Sequence, residues 1–359
     1  LDEDAARRDL AAAHGRGHRA VAIVLMHAYR MADHERRLGA IAREVGFTQV
    51  TLSHEASPLM KIVGRGDTAV VDAYLSPILR RYVDQVAAET GGARLMFMQS
   101  NGGLVDAFRF QGKDALLSGP AGGVVGAVKT ATLAGFDRII GFDMGGTSTD
   151  VTHYAGELER RFEAVVAGAR IKAPMMAIHT VAAGGGSLLH FERGKFRVGP
   201  ESAGADPGPA CYRRGGPLAV TDANLVTGKL QADFFPPVFG PRADQPLDAT
   251  AARAKFEELA AEIEAETGTR YTIEELAHGA LTIANDNMAN AIKEISVQKG
   301  HDIQGYTLAC FGGAGGQHAC AVADALGMRR VMVPPLASVL SAYGIGLADV
   351  RTLEQRAVE

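Results

Sequence analysis

Apolar and polar residues alternate along the chain in two periods, and the changes of period mark out its elements. Residues 2–14 carry acids in the first turn and stop before Gly15, which predicts a helix. Arg19 to Met26 is an apolar run and reads as a buried strand. A second helix is expected from about Ala32 to Arg43, ended by Gly46-Phe47, and Gln49 to Ser53 reads as the next strand. This strand–helix–strand rhythm points to a parallel sheet. A long helix is expected from about Asp67 to Glu89, bent near Pro77. A strand over Arg94 to Gln99 then runs into the turn Ser100-Asn101-Gly102-Gly103. Small residues lead into a helix at about 121–134, where the glycines serve either close helix packing or a hinge; a lobe boundary is placed near Leu117.

From 143 to about 222 the pattern turns to short alternating segments, at 149–155, 158–164, 177–182, 188–191 and 195–198. The third of these ends in Gly184-Gly185-Gly186, read either as a tight turn or as backbone that meets a ligand. Gly199 to Gly216, rich in Gly and Pro, is expected to be irregular, and ordered loops of this length are often functional. Thr221-Asp222-Ala223-Asn224 reads as a helix cap. Helices are expected at about 249–266 and 272–298, the second with Asn285, Asn287, Asn290, Lys293 and Glu294 on a solvated face. Tyr306 to Phe311 reads as a strand leading through Gly312-Gly313-Ala314-Gly315-Gly316 into a helix that ends at Leu326. Such a strand, glycine turn and helix start expose N–H donors suited to a phosphate or nucleotide. His318, a lone histidine, is read as structural. A last strand at 330–333 and a small-residue helix at Ser338–Gly346 follow.

Composition narrows the class. The 359 residues suffice for two lobes, and 47% hydrophobic and 22% charged residues are ordinary for a globular protein. A net charge of −4 offers no polyanion-binding footprint, so nucleic acid is not expected as a partner. The three cysteines, Cys211, Cys310 and Cys320, lack metal-ligand spacing and suit a reducing cytoplasmic compartment. No apolar run approaches a membrane span. The ends suggest an internal fragment of a longer polypeptide.

The chemistry concentrates at Gly141-Phe142-Asp143-Met144-Gly145-Gly146-Thr147-Ser148-Thr149-Asp150. The apolar run from Arg138 delivers Asp143 to a strand end, where a carboxylate suits Mg²⁺ or a water. Gly145 and Gly146 permit φ > 0 and close approach of a ligand. Their amides, with those of Thr147 and Ser148, are candidates for an anion-binding concavity. A hairpin turn with a satisfied aspartate is the plain alternative. The pattern is not a P-loop, because no Gly-Lys-Ser/Thr follows.

The decapeptide resembles the phosphate loop of the actin, sugar-kinase and heat-shock-protein ATPase superfamily. With Thr180 to Ser187, Val198 to Ala205 and Phe311 to Ala319, it resembles the hydantoinase A/5-oxoprolinase family across essentially the whole chain. That resemblance implies an α/β fold of ribonuclease-H-like lobes with mixed sheets and flanking helices. It implies 1–117 as the remainder of a first lobe and 118–359 as a second ATPase lobe. It implies ATP and Mg²⁺ as cofactors. Asp143 is the implied catalytic and metal residue; Gly145, Gly146, Thr147, Ser148, Gly184, Gly185, Gly312, Gly313 and Gly315 are the implied nucleotide contacts. The implied reaction is ATP-driven hydrolytic opening of a small cyclic amide, first of all 5-oxo-L-proline to L-glutamate with ADP and phosphate released; N-methylhydantoinase or the ATP-binding subunit of an acetone-type carboxylase is the alternative within the family, and a non-catalytic ATP-binding switch the alternative of another class. A B-type subunit or domain and an oligomer are implied partners. Arg65, His179 and Glu201 are candidates for the amide pocket. The family's N-terminal phosphate loop has no counterpart before Asp143, so this chain alone is expected not to turn over.

Overall fold

In the computed structural model, which describes residues 1–166 and 168–357, the chain divides into two compact units. The first takes Leu1–Val125, Glu159–Ala177 and the segment from Gly344; the second takes Gly126–Leu158 and Ile178–Tyr343. The division falls within the Ser118–Leu133 helix and not at Leu117. From Ser118 to Val128 that helix is made of small and apolar residues, so its sequence has no break at the boundary. The return of 159–177 to the first unit rests on pairings distant in sequence. The Lys172 amide donates to Thr68 Oγ1 (2.8 Å), and the Met176 amide donates to Ser100 O (2.7 Å). No helix among the described residues is long and apolar enough to cross a membrane.

The first unit begins with α1 (Glu3–Gly15), whose first turn is capped by Asp2 Oδ1 accepting from the Ala5 amide at 2.9 Å. Strand β1 (Ala20–Ile23) lies parallel to β2 (Gln49–Leu52), joined by α2 (Asp33–Val45), which Gly46 closes at φ +113°. Ile23, Ala42, Phe47 and Leu52 form their core. A one-turn α3 (Ser53–Ala56) precedes the 28-residue α4 (Ile62–Glu89), which carries Pro77 in its interior. This helix starts five residues before Asp67. Its buried face holds Arg65, Thr68, Asp72 and Ser76, so apolar periodicity does not announce its first turns. Asp72 shows why polar residues suit that face: its carboxylate accepts from Thr51 Oγ1 (2.8 Å), Ser76 Oγ (3.2 Å) and the Lys113 amide (3.1 Å).

The second unit is built on one mixed sheet. Strands β5 (Arg138–Met144) and β6 (Thr149–Ala155) form an antiparallel hairpin, and β7 (His179–Val181) adds antiparallel to β6. Here β3 (Met96–Met98) and β4 (Leu104–Asp106), a hairpin of the first unit, precede them in the chain. Strands β8 (Ser187–Glu192) and β9 (Lys195–Ser202) make a separate hairpin; β9 extends regular structure into the stretch expected to be irregular from Gly199. Helices α5 (Val220–Val226), α6 (Ala249–Thr267) and α7 (Ile273–Ile295) follow. Strand β10 (Thr307–Phe311), α8 (Ala319–Leu326) and β11 (Arg330–Met332) complete the unit. The order is β7-β6-β5-β10-β11, antiparallel on one side of β5 and parallel on the other, a ribonuclease-H-like sheet. Its central strands are buried on both faces, which is why β5 and β10 read as continuous apolar runs. Ile140, Phe142 and Leu308 pack with Ala277, Leu281, Ala284, Met288 and Ile292 of α7 in one core.

Candidate nucleotide site

Strand directions alone bring three loops to one edge of this sheet. Strands β5 and β10 are parallel, and β7 points the same way because it is antiparallel to β6. The loops 145–148, 182–186 and 312–316 therefore all leave from C-terminal strand ends, the edge where open α/β sheets bind ligands.

The first loop is tight. The Gly145 amide donates to Ser148 O at 3.1 Å and is spent in closing the turn, so it is not a free phosphate donor. Among the described residues no acceptor is found for the next three amides, those of Gly146, Thr147 and Ser148. Neither Gly145 nor Gly146 takes the left-handed conformation expected of them. Nor is either held to glycine by crowding: a Cβ at Gly146 would meet nothing within 4 Å, and one at Gly145 only Ser148 O at 4.0 Å.

The second loop buttresses the first. The Gly185 amide donates to Gly145 O (3.1 Å), Gly186 to Gly146 O (2.6 Å) and Gly184 to Ser187 Oγ (2.9 Å). Gly184 sits so close that a Cβ would lie 2.6 Å from the Thr147 carbonyl carbon and 2.7 Å from the Ser148 nitrogen. Thr221 secures the outer side, its amide (2.7 Å) and hydroxyl (2.8 Å) both donating to Gly185 O. The amides of Gly184 and Gly185 are thus consumed within the protein, and these glycines shape the first loop by close approach.

The third loop leans on Asp143. Gly312 takes φ +83°, and a Cβ there would collide with Asp143 Oδ1 and Met144 O. The Gly312 amide donates to Ala337 O (2.9 Å) and Ala314 to Met144 O (3.0 Å). Gly315 is packed over Cys310 Sγ, 2.8 Å from its would-be Cβ, whereas Gly313 has nothing within 4 Å. Gly312→Ala is therefore expected to cost about 2 kcal/mol, combining a left-handed backbone with a backbone collision. Gly313→Ala is expected to leave the unfolding midpoint unchanged. Urea denaturation of the two variants checks the contrast.

Asp143 stands directly across the ladder from Asp150. Burial, and then the Asp150 charge, push its carboxyl up to about 6. Burial also raises Asp150, which accepts a 2.5 Å hydrogen bond from Thr180 Oγ1. Among the described residues no donor reaches the Asp143 carboxylate. Two facing carboxylates, one without a donor, are the electrostatic situation that a hard divalent cation relieves, and their oxygens are its preferred donors. The residues present fit Mg²⁺.

His318 lies beneath the third loop, fully buried, and is structural as expected. Its Nδ1 lies 2.8 Å from Asn285 Oδ1 and its Nε2 3.0 Å from Asn224 Nδ2. These partners require a neutral ring with the proton on Nδ1. Burial, and then Lys229, lower its pKa to about 4. Asn285, read as part of a solvated face, is instead buried for this contact. The three amide-pocket candidates are dispersed. Arg65 is buried in the first unit, His179 Nε2 lies 3.5 Å from Glu294 Oε2, and Glu201 is an exposed residue of β9.

Comparison with known proteins converges. The hydantoinase/oxoprolinase family matches residues 65–354, and the hydantoinase/oxoprolinase N-terminal region matches residues 1–46. The chain is 49% identical to 5-oxoprolinase of Saccharomyces cerevisiae over 97% of its own length and 28% of that protein. It is similar to the crystal structure of ATP-dependent caprolactamase from Pseudomonas jessenii, with a TM-score of 0.82, 34% identity and coverage of 98% of this chain and 51% of that one. It is also similar to a nucleotide-free structure of acetone carboxylase, with a TM-score of 0.78, 26% identity and coverage of 97% and 50%. The chain spans under a third of the yeast relative and about half of each solved relative.

Proposed function

This chain belongs to the hydantoinase/oxoprolinase family, and we propose that the protein carrying it couples ATP to the hydrolytic opening of a cyclic amide, first of all 5-oxo-L-proline to L-glutamate. The observation that carries the ATP part is the first loop: among the described residues, three consecutive amides, at Gly146, Thr147 and Ser148, have no acceptor, beside a carboxylate at Asp143 that no donor reaches. Amides in that arrangement suit phosphate oxygens. Asp143 would hold Mg²⁺, directly or through a water, and the ion would neutralise charge on the phosphates. Gly313 leaves room for the nucleotide at the third loop, and Gly184 and Gly185 keep the first loop in place.

A lactam carbonyl is a poor electrophile. Transfer of the γ-phosphoryl group to the amide oxygen releases ADP and leaves a C–O–P linkage at the ring carbon. Water adds at that carbon, the ring C–N bond breaks with the nitrogen taking a proton, and a second water displaces phosphate. The amide substrate is favoured by the 49% identity to yeast 5-oxoprolinase. Completion of the reaction is assigned to a B-type region or subunit outside this chain. The likeness to acetone carboxylase favours one second reading, phosphoryl activation of a ketone.

ADP release by the intact protein with its B-type partner separates these readings. The substrates are 5-oxo-L-proline, hydantoin, caprolactam, and acetone with bicarbonate. The expected result is ADP release that depends on 5-oxo-L-proline, with glutamate formed in equal amount. ADP release driven only by acetone with bicarbonate, or indifferent to every substrate, contradicts the proposal.

A further inference from the structure

A cavity of about 390 Å³ lies wholly within the first unit and shares no residue with the three nucleotide loops. Arg109, Lys113 and Arg351 line it, and Asp114 is the one acid in the lining. Lys113 Nζ lies 2.8 Å from Asp114 Oδ1, so these two charges answer each other. Burial raises the Asp114 pKa, and Lys113 opposes that rise. Arg109 and Arg351 are left over. Among the described residues neither guanidinium has a hydrogen-bond acceptor or an acidic partner. The lining is therefore net positive, and a cleft lined by one sign of charge concentrates ligands of the other.

Tight local geometry places both arginines. The segment that carries Arg351 pairs with β4: the Leu104 amide donates to Asp349 O (2.9 Å) and the Arg351 amide to Leu104 O (3.2 Å). Gly103 makes room for it, because a Cβ there would collide with the Arg351 Cβ. Gly102 takes φ +81°, and a Cβ there would collide with Met176. The turn Ser100-Asn101-Gly102-Gly103, which the nucleotide site does not use, is thus fixed beside this cavity, with Asn101 in its lining. Arg109 ends the short turn Ala107–Arg109, which Asp106 caps by accepting from the Phe108 amide at 3.1 Å. Arg80 holds the same turn, donating to Ala107 O (3.2 Å) and Phe108 O (3.3 Å). Two separate segments therefore bring unpartnered guanidiniums to one cavity.

We propose that this cavity binds a small organic diacid, one carboxylate on Arg109 and the other on Arg351. The guanidinium fork matches a carboxylate with two parallel N–H···O bonds, and two forks without partners suit two carboxylates. Val105, Pro174 and Leu353, also in the lining, suit the carbon chain of such a ligand better than a compact inorganic anion. The volume is that of a small-ligand pocket. The site stands independently of the proposed reaction.

The test is calorimetric binding of glutarate, a short diacid, to the intact protein without nucleotide, beside butyrate and inorganic phosphate. Arg109→Met and Arg351→Met are each expected to weaken glutarate binding roughly 10–100-fold, the loss of one charge-assisted pair. Neither side chain has a partner in the fold, so the unfolding midpoints are expected to stay unchanged. Butyrate, with one carboxylate, is expected to bind the unmodified protein more weakly than glutarate by a similar factor, and phosphate more weakly still. Absence of glutarate binding to the unmodified protein overturns the inference. So does glutarate binding that is unchanged in both variants, which would place the ligand elsewhere. Butyrate or phosphate bound as tightly as glutarate overturns the choice of a diacid.

Discussion

Asp143→Asn is expected to lower substrate-dependent ADP release roughly 10²–10³-fold, the usual loss when one preorganised electrostatic group is removed from a reaction centre. The same change is expected to stabilise the fold in the absence of nucleotide. The folded carboxyl titrates at about 6 against an ordinary value of 3.8, so the folded state holds this proton more tightly. The resulting penalty is absent below about pH 4, grows as pH rises and is complete above about pH 6. Asparagine escapes it, and the variant should exceed the unmodified protein by about 1–2 kcal/mol at pH 7.5 and by little at pH 4, a value reduced from the full shift because Asp143 is part-exposed. His318 works in the opposite sense: its lowered pKa costs stability as pH falls from 6.5 through about 4. It is common to both proteins, so the difference between them isolates Asp143. Urea denaturation at the two pH values, with ADP release at neutral pH, checks both halves. A variant that loses activity and stability together would mean that Asp143 is structural.

Arg65→Met is expected to cost about 3–5 kcal/mol, the effect of breaking a buried charged network by removing one member. Arg65 is fully buried and spends its guanidinium on Ser53 Oγ (2.9 Å), Leu59 O (3.0 Å), Leu25 O and Met26 O. Burial lowers its pKa and the Glu35 charge raises it, a balance that holds only while both are present. Methionine fills much of the volume but leaves three carbonyls without that donor and Glu35 without its counter-charge. Glu35→Gln, which keeps shape and removes charge, is expected to fall in the same range. Midpoints within about 1 kcal/mol of the unmodified protein would mean that water replaces the guanidinium.

The first loop was legible because its signal is local. An apolar strand, an acid, two glycines and hydroxyl residues within ten positions describe one turn, and the turn is there. Strand ends and helix caps such as Asp2 and Gly46 were legible for the same reason. What sequence could not show is which amides are free. Gly145 is spent on Ser148 and Gly184 on Ser187 within their own turns, while Gly185 and Gly186 are spent on the first loop, and hydrogen bonds between loops 40 residues apart leave no periodic trace. Buried Asn285 was misread for a related reason. Asn285 sits on a helix whose amide and charged positions look solvated until its partner, His318, arrives from another element. The hydrophobic period counts such residues as surface.

Hydrogen exchange of the intact protein, with and without a non-hydrolysable MgATP analogue, tests the proposed nucleotide site most directly. The account predicts slowed exchange at Gly146, Thr147 and Ser148 and at Gly313, with 183–186 protected in both states because those amides are already bonded. Protection that falls elsewhere, or an unchanged 145–148 loop at saturating nucleotide, would contradict it.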